Sequence, residues 1–403
     1  MLDKSLLHAG IKVLKKLQDN RYEALFAGGY VRDMIWDYPL QDIDIATSAP
    51  AEKIEQFFST TKPIGKSFGV ILVQIDGYKF EVTTFRKDGK YLDGRRPEKV
   101  IYSSRIEDAK RRDLTINGLY FDALSNNIYD DIDGLKDLKT KTARFIGSAE
   151  ERIQEDKLRM LRIVRFVGKY NLSWSSGTLK TIQKNAEKIN IISAERIWQE
   201  LLKIIKNGNY KKSFDLLFET KIINHILPEI VRIKKTFFQQ TLLRLKLLPD
   251  SASDELRWAA LLQDLDNDIS KVILKRLKCP NKFISKVCFL IKNQNKIINA
   301  PNMKVAELKR FMHIENLNDH LMLYKASCLA SNQSLDILNF LIQKKQEFKN
   351  KLNPKPFITG EDLLKLGMKP SAKLKEILED TYNQQLEGKL ITKEEALNVV
   401  VKT

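Results

Sequence analysis

Cysteine and histidine are scarce in this chain. Its 403 residues include three cysteines, Cys279, Cys288 and Cys328, whose spacing does not match the paired cysteines of a zinc knuckle. An odd number of scattered cysteines also argues against a disulfide framework and is typical of a reducing compartment. Only four histidines occur in the whole sequence. We therefore expect neither a zinc site nor a histidine-rich metal site.

Long apolar runs are missing as well. No stretch approaches the ~18 consecutive apolar residues that a membrane-spanning helix needs. The N-terminal segment MLDKSLLHAGIKVLKKL carries charges from its third residue on, which is not the pattern of a signal peptide. We therefore expect no membrane association and a cytoplasmic location.

Positive charge is what the chain has in excess. Lysine and arginine outnumber aspartate and glutamate by 69 to 51, which gives a net charge of +18. Such an excess favours a polyanionic partner, because each phosphate that the protein neutralises releases counterions. A protein that is merely lysine-rich would have the same balance, so charge alone does not establish nucleic-acid binding.

The segment 25–47 carries the first chemical signal. An apolar run leads into Gly28 and Gly29, and the pair Asp42 and Asp44 follows on an expected strand. Side chains at i and i+2 of a strand point to the same side, so the two carboxylates should lie ~7 Å apart, a gap that a divalent cation closes. Glycines let the backbone approach a phosphate. These features suggest nucleotidyl transfer with two Mg²⁺ ions, although Asp-x-Asp is also common in surface turns.

Further blocks follow in order between residues 25 and 205: LFAGGYVRD, DIDIAT, FEVTTFR, YLDGRRPE, DAKRRDLTING, DDIDGLKDL, EDKLRMLRIVRF and SAERIWQELLKI. Together they resemble the class II tRNA nucleotidyltransferase and bacterial poly(A) polymerase family, the template-free CCA-adding enzymes. The resemblance implies addition of CCA to the 3′ end of tRNA from CTP and ATP, with Mg²⁺ as cofactor.

The expected fold is α+β. Short β-like runs alternate with helices early in the chain, with a two-residue hairpin signal at Asp76-Gly77, and helical periodicity dominates after residue 149. The resemblance implies a polymerase-β-like head followed by all-helical domains. We place the domains as follows: head 1–149, neck 150–206 for nucleotide selection, body 207–350, and tail 351–403 for tRNA binding.

Several head residues have roles that the resemblance implies. Gly29 and Arg32 correspond to triphosphate contacts, and Asp42 and Asp44 correspond to the metal ligands. Arg112, within KRRDLTING, corresponds to another triphosphate contact, where a run of three cations would otherwise predict a solvated face. Glu81, on the second hairpin strand, is either the third carboxylate of the site or a plain strand-face glutamate.

The neck block predicts a base-reading helix. At 100° per residue, Arg159, Arg162 and Arg165 form one polar stripe beside Asp156, while apolar residues lie on another side of the helix. A purely structural amphipathic helix would show the same split. The resemblance assigns Asp156 and Arg159 as an amino-acid template that accepts from an exocyclic amine and donates to a ring acceptor. Arg162 and Arg165 would line the pocket.

Two further segments bear on specificity and on a second metal site. The stretch RKDGKYLDGRRP at 86–97 predicts a mobile loop, which in the family reshapes the pocket between C and A addition and is missing from enzymes that add only CC. The body segment LRWAALLQDLDND resembles a metal-dependent phosphohydrolase helix, but Gln263-Asp264 replaces its His-Asp pair. We interpret it as a degenerate remnant.

Three other functions remain open from the residues. The chain could be an A-adding enzyme that works with a CC-adding partner, or a poly(A) polymerase. GKSFGVILVQ lacks the arginine-rich strand entry of many poly(A) polymerases, which favours tRNA as the substrate. A non-catalytic RNA-binding protein is a more distant alternative, because the acidic and basic residues of the motifs are intact.

Overall fold

The computed structural model describes residues 4–40, 42–65, 69–88, 100–206, 208–349 and 352–401. The chain divides into two compact units, Met1–Arg232 and Ile233–Thr403. The first unit holds the predicted head and neck and continues to Arg232. The finer division into head, neck, body and tail stays a prediction.

The first unit begins as alternating strands and helices and becomes mainly helical from Ala149 onward. Its elements are α1 (Lys4–Asp19), β1 (Ala24–Ala27), α2 (Gly29–Ile35), β2 (Asp44–Thr47), α3 (Ala51–Phe57), β3 (Thr61–Gly65), β4 (Val70–Ile75), β5 (Tyr78–Thr84), β6 (Arg86–Asp88), β7 (Val100–Tyr102), α4 (Arg105–Arg111), β8 (Tyr120–Asp122), β9 (Asn127–Tyr129), α5 (Gly134–Lys139), β10 (Thr142–Ala143), α6 (Ala149–Glu155), α7 (Arg159–Tyr170), β11 (Ser173–Trp174), α8 (Thr178–Asn185), α9 (Ala194–Lys206), α10 (Tyr210–Glu219), α11 (Ile223–Ile226) and α12 (Pro228–Val231).

A seven-stranded mixed sheet forms the centre of the head. Its strand order is β3-β4-β5-β2-β1-β8-β9, and β2 and β5 are its one parallel pair among the described strands. The predicted hairpin at Asp76-Gly77 is confirmed, since both residues have positive φ (51° and 81°) between β4 and β5. Positive φ at both central positions matches the right-handed twist of the paired strands.

Helix α1 packs on this sheet through its apolar stripe. It buries Val13, Leu14 and Leu17, in agreement with the helical spacing of the N-terminal segment. Gly10 faces the sheet at close range, where an added Cβ would come within 3.2 Å of the Phe26 ring. A glycine at this position therefore lets the helix approach the aromatic core.

The second unit is helical throughout its described part. Its elements are α13 (Lys235–Leu247), α14 (Asp254–Leu262), α15 (Asn267–Arg276), α16 (Asn281–Asn299), α17 (Val305–Met312), α18 (Leu317–Ala330), α19 (Asp336–Phe348), α20 (Gly360–Lys365), α21 (Ala372–Leu386) and α22 (Lys393–Val401). The side chain of Trp258 is fully buried among them. The predicted α+β fold with helical domains after the head is confirmed. No helix in the described ranges is long and apolar enough to cross a membrane.

Candidate functional site

A cavity of about 840 Å³ lies in the first unit, where the interior strands β1, β2 and β5 meet α7 and α9. Every residue that the sequence nominated for the site lines this cavity, although the residues are spread over more than a hundred positions. They are Gly29, Arg32, Asp42, Asp44, Glu81, Arg112, Asp156, Arg159, Arg162 and Arg165.

Three carboxylates share one side of the cavity. Asp44 opens β2, and the parallel register places it directly beside Glu81 on β5. Asp42 precedes the strand instead of lying on it, so the prediction that both aspartates occupy strand positions is corrected for Asp42. The pairing of β2 with β5 sets the position of Glu81. Sequence periodicity could not have shown that Glu81 neighbours Asp44.

The carboxylates face one another without a paired cation. Partial desolvation raises the pKa of Asp44, the carboxylates of Glu81 and Asp42 raise it further, and Arg112 lowers it. Within the described ranges, none of the three forms a hydrogen bond or ion pair through its side chain, and no three acidic, histidine or cysteine side chains are close enough to hold a metal alone. Mg²⁺ commonly takes one or two carboxylates and completes its shell with substrate phosphates and water. The donor set therefore fits Mg²⁺ together with a nucleotide.

Gly28 gives Arg112 room at the edge of the cavity. Gly28 has φ of 66°, and an added Cβ would lie 2.8 Å from Nη1 of Arg112. Both the backbone conformation and the close approach favour glycine here. The main chain at Gly28 and Gly29 and the guanidinium of Arg112 therefore line the same part of the cavity.

Arg32 is fixed in the cavity wall. Its Nε and Nη2 donate to Asp33, Nη1 donates to Asn117, and Nη2 also donates to the Tyr170 hydroxyl at 2.6 Å. The guanidinium carbon lies 4.6 Å from the centre of the Tyr170 ring and 5.2 Å from that of Phe166. All but one of the five N–H groups are thus engaged. Arg32 therefore connects the head with α7 and keeps little donor capacity for a ligand.

Asp108 holds the two arginines of the KRRD block and was not singled out by the sequence. Its buried carboxylate accepts from Arg111 at 2.8 Å, from Arg112 at 3.2 Å and from the Tyr120 hydroxyl at 2.6 Å. Burial raises the pKa of Asp108, but Arg112 and Arg111 outweigh that effect and the net shift is downward. The sequence did carry a signal for these pairs, because Asp108 precedes Arg111 by three residues and Arg112 by four, the spacings at which helical side chains meet.

The remaining neck arginines pair with two acids that sequence reasoning also missed. Arg162 donates to Asp113 at 2.8 Å, and Arg165 donates to Glu200 at 2.7 Å. Burial opposes ionisation of Asp113, but Arg162 and Asn117 lower its pKa well below the usual range. These pairs hold the arginine stripe of α7 along the cavity.

The helix predicted to run through Asp156 is interrupted. Helix α6 ends at Glu155 and α7 begins at Arg159, and Asp156 is extended between them (φ −147°, ψ 106°). Its Oδ1 accepts the N–H of Leu158 at 3.0 Å, and such a local side-chain bond competes with helical hydrogen bonding. The arginines do lie on one helix, but Asp156 belongs to the turn before it.

Other groups hold Asp156 and Arg159, the two side chains that were predicted to read the base. Arg196 on α9 forms a fork on Asp156, with Nη2 to Oδ2 at 2.6 Å and Nη1 to Oδ1 at 3.2 Å. Arg159 donates to Glu155, to the Arg152 carbonyl at 3.1 Å and to the Arg111 carbonyl at 3.3 Å. Asp156 and Arg159 therefore reach the cavity as separately supported groups.

Asp264 lies in the segment that we interpret as a degenerate remnant, and its carboxylate is paired with other side chains of the fold. Arg244 donates from Nη1 and Nη2 to its two oxygens at 2.9 Å each, and the Thr241 hydroxyl also donates to it. These donors occupy the carboxylate that would otherwise bind a metal.

The loop predicted at 86–97 lies mostly outside the described residues, which end at Asp88 and resume at Val100.

Three family profiles match the chain in sequence order. Residues 24–144 match the poly(A) polymerase head domain, residues 172–233 match an RNA and SrmB binding site of polymerase A, and residues 250–401 match tRNA nucleotidyltransferase domain 2. The first two profiles lie within or just past the first compact unit, and the third lies within the second.

Two of the proteins that are similar to this chain carry the same name. The CCA-adding enzyme of Staphylococcus epidermidis is 31% identical over 398 residues, 96% of each chain. The CCA-adding enzyme of Staphylococcus aureus is 40% identical over 226 residues, so this chain spans about half (56%) of that protein's length in the alignment.

Solved structures of CCA-adding enzymes are similar in fold to this chain. The Bacillus stearothermophilus CCA-adding enzyme in complex with CTP is 25% identical, with a TM-score of 0.79 over 98% of this chain and 96% of the other. The Thermotoga maritima CCA-adding enzyme complexed with tRNA, at 18% identity and a TM-score of 0.67, shares the fold over 100% of this chain and 96% of the other.

Proposed function

The chain belongs to the CCA-adding enzyme family of nucleotidyltransferases, and from this premise we propose that it adds CCA to the 3′ end of tRNA, using CTP and ATP without a nucleic-acid template. The observation that supports the proposal is that a single cavity is lined by both sets of residues. It combines unpaired carboxylates suited to phosphoryl chemistry with the Asp156 and Arg159 side chains suited to reading a base.

The reaction joins the tRNA 3′ oxygen to the α-phosphorus of the nucleotide. The bond from that phosphorus to the bridging oxygen breaks, pyrophosphate leaves, and the hydroxyl releases its proton. Two Mg²⁺ ions, held by Asp42 and Asp44, would supply activation of the hydroxyl and neutralisation of the leaving group. Glu81, beside Asp44, is the third carboxylate in this proposal. Burial raises the pKa of Asp44 and the facing acids raise it further, and a cation between the carboxylates would lower that pKa.

The triphosphate meets the basic side of the cavity. Arg112 is oriented by Asp108, so its guanidinium is ready for a phosphate before the nucleotide arrives. The main chain at Gly29 can approach the phosphates because no side chain intervenes. Arg32 contributes mainly by holding Asp33, Asn117 and Tyr170 together, with its one remaining N–H available to the ligand.

The protein itself selects the base. Cytosine and adenine both present an amine beside an unprotonated ring nitrogen, which Asp156 and Arg159 can match. Uracil and guanine place a carbonyl where the amine would be. Each mismatch leaves a buried polar group unpaired, at a cost of ~1–3 kcal/mol, which is enough to favour C and A.

A product assay tests the proposed function. The protein is incubated with tRNA lacking CCA and, separately, with tRNA ending in CC, with each nucleotide alone and all together. We expect C, C and A on the first substrate and a single A on the second. Addition of A only to the second substrate would indicate an A-adding enzyme, long A tails would indicate a poly(A) polymerase, and no addition would leave an RNA-binding protein.

Substitution of the template carboxylate tests base selection. We expect Asp156→Ala to weaken discrimination against UTP and GTP more than it lowers the overall rate, because the carboxylate distinguishes an amine from a carbonyl. The measurement is kcat/KM for each of the four nucleotides. An unchanged nucleotide preference with a uniform loss of rate would mean that Asp156 is structural.

A further inference from the structure

The orientation of the Asp156 carboxylate depends on a residue far away in the sequence. Asp156 lies in the turn between α6 and α7, so no helix fixes its side chain. Leu158 and Arg196 hold it instead: the N–H of Leu158 and Nη1 of Arg196 both donate to Oδ1, and Nη2 of Arg196 donates to Oδ2. Arg196 itself lines the cavity and is about a quarter exposed (23%).

These contacts leave one oxygen with acceptor capacity. A carboxylate oxygen accepts about two hydrogen bonds. Oδ1 already has two donors, whereas Oδ2 has one, the short 2.6 Å bond from Arg196. An incoming base amine therefore finds its acceptor on Oδ2, in the plane set by the guanidinium fork.

The fixed plane matters because the order of groups separates the four bases. Cytosine and adenine present a donor and then an acceptor along the reading edge, and uracil and guanine present an acceptor and then a donor. A carboxylate that could swing toward the ring N–H of uracil or guanine would accept from it and lose discrimination. A carboxylate held by a bidentate fork cannot make that adjustment without breaking two charge-assisted hydrogen bonds.

We propose that Arg196 is a positioning residue for nucleotide selection, whose guanidinium fork aims Oδ2 of Asp156 at the base and so helps exclude U and G. This inference rests on the proposed function. Arg196 acts through Asp156, and the pair is separate from the Glu155 contact that supports Arg159.

The test compares Arg196→Gln and Arg196→Lys with the parental protein. The readout is the ratio of kcat/KM for CTP to that for UTP in single addition to tRNA lacking CCA, and the ratio for ATP to GTP on tRNA ending in CC. We expect Arg196→Gln to lower both ratios about tenfold. Arg196→Lys should fall in between, because lysine keeps the charge but loses the fork. Gln199→Ala, an exposed position on the same helix, should leave both ratios unchanged.

A double variant separates positioning from general damage. If Arg196 acts through Asp156, the ratios of Asp156→Ala with Arg196→Gln should be no lower than those of Asp156→Ala alone. Thermal unfolding of each variant identifies any loss of folded protein. Equal losses for correct and incorrect nucleotides, or additive effects in the double variant, would overturn the inference. A parental protein that adds neither C nor A would instead refute the proposed function.

Discussion

Asp44 in the first unit and Asp264 in the second make an instructive pair of aspartates. Each belongs to a segment that resembles a metal-binding motif. Asp264 accepts two hydrogen bonds from the buried Arg244, and a third donor comes from Thr241. Asp44 instead stands beside Glu81 and near Asp42, and burial together with these acids raises its pKa.

The difference lies in where the neutralising charge comes from. Arg244 neutralises Asp264 within the fold, and with Thr241 it fills three of the roughly four acceptor positions of the carboxylate. The carboxylates around Asp44 repel one another, and a bound cation would relieve that repulsion. A motif in the sequence therefore predicts a metal site only when its acids lack protein partners, which is a property of the tertiary structure.

The largest effect is expected from removing a carboxylate of the head. Asp42→Ala and Asp44→Ala should each lower incorporation of both C and A by roughly a thousandfold or more, because the site for the metal ions is lost. Binding of tRNA, measured by gel shift, should survive, since phosphate contacts elsewhere supply it. Near-parental turnover in either variant at ordinary Mg²⁺ would contradict the metal assignment.

The opposite outcome is expected for the partnered aspartate. Asp264→Ala should lower the free energy of unfolding by about 3 kcal/mol, because the buried Arg244 loses its counter-charge. Incorporation by the folded protein should stay near the parental rate. Urea unfolding gives the stability, and Glu379→Ala, which removes an exposed ion pair with Arg310 in the same unit, is the control with a cost below about 1 kcal/mol. Strong loss of activity without loss of stability would mean that Asp264 serves the reaction.

Asp108 tests whether an acid that is paired within the protein can still affect nucleotide binding through the arginines that it holds. Asp108→Asn should raise KM for CTP and ATP about tenfold with a smaller change in kcat, because Arg111 and Arg112 lose the charge that orients them. Tyr120→Phe removes a single donor to the same carboxylate and should have a weaker effect. If kcat fell and KM stayed constant, the triphosphate assignment of Arg112 would be wrong.

The smallest effect concerns stability and pH. The pKa of Asp44 is raised in the folded protein, so the ionised form is disfavoured there, and this penalty is present at neutral pH and disappears as the pH falls through the raised pKa. Asp44→Asn should therefore raise the thermal midpoint slightly at pH 7, by about 1 °C, even though it removes activity. The gain should shrink as the pH approaches the ordinary aspartate value of 3.8. A lower midpoint at pH 7 would show that Asp44 has a stabilising partner.

Local patterns in the sequence anticipated much of the fold. The hairpin at Asp76-Gly77, the apolar stripe of α1 and the arginine stripe of α7 depend on residues within a few positions of each other. Turn chemistry and helical periodicity are local properties, which explains why they could be predicted. The prediction from helical periodicity failed at Asp156, where the side chain accepts the backbone N–H of Leu158 and the expected helix is interrupted.

The sequence by itself named ten of the residues that line the cavity, because its motifs carry them, but it did not name others such as Arg196. Tertiary structure decided which of those side chains are fixed and which remain open to a ligand. The position of Glu81 beside Asp44 depends on strand pairing, and the hold of Arg196 on Asp156 spans 40 positions of the chain. Electrostatic and hydrogen-bond partners are chosen by distance in space, and no spacing along the chain specifies them.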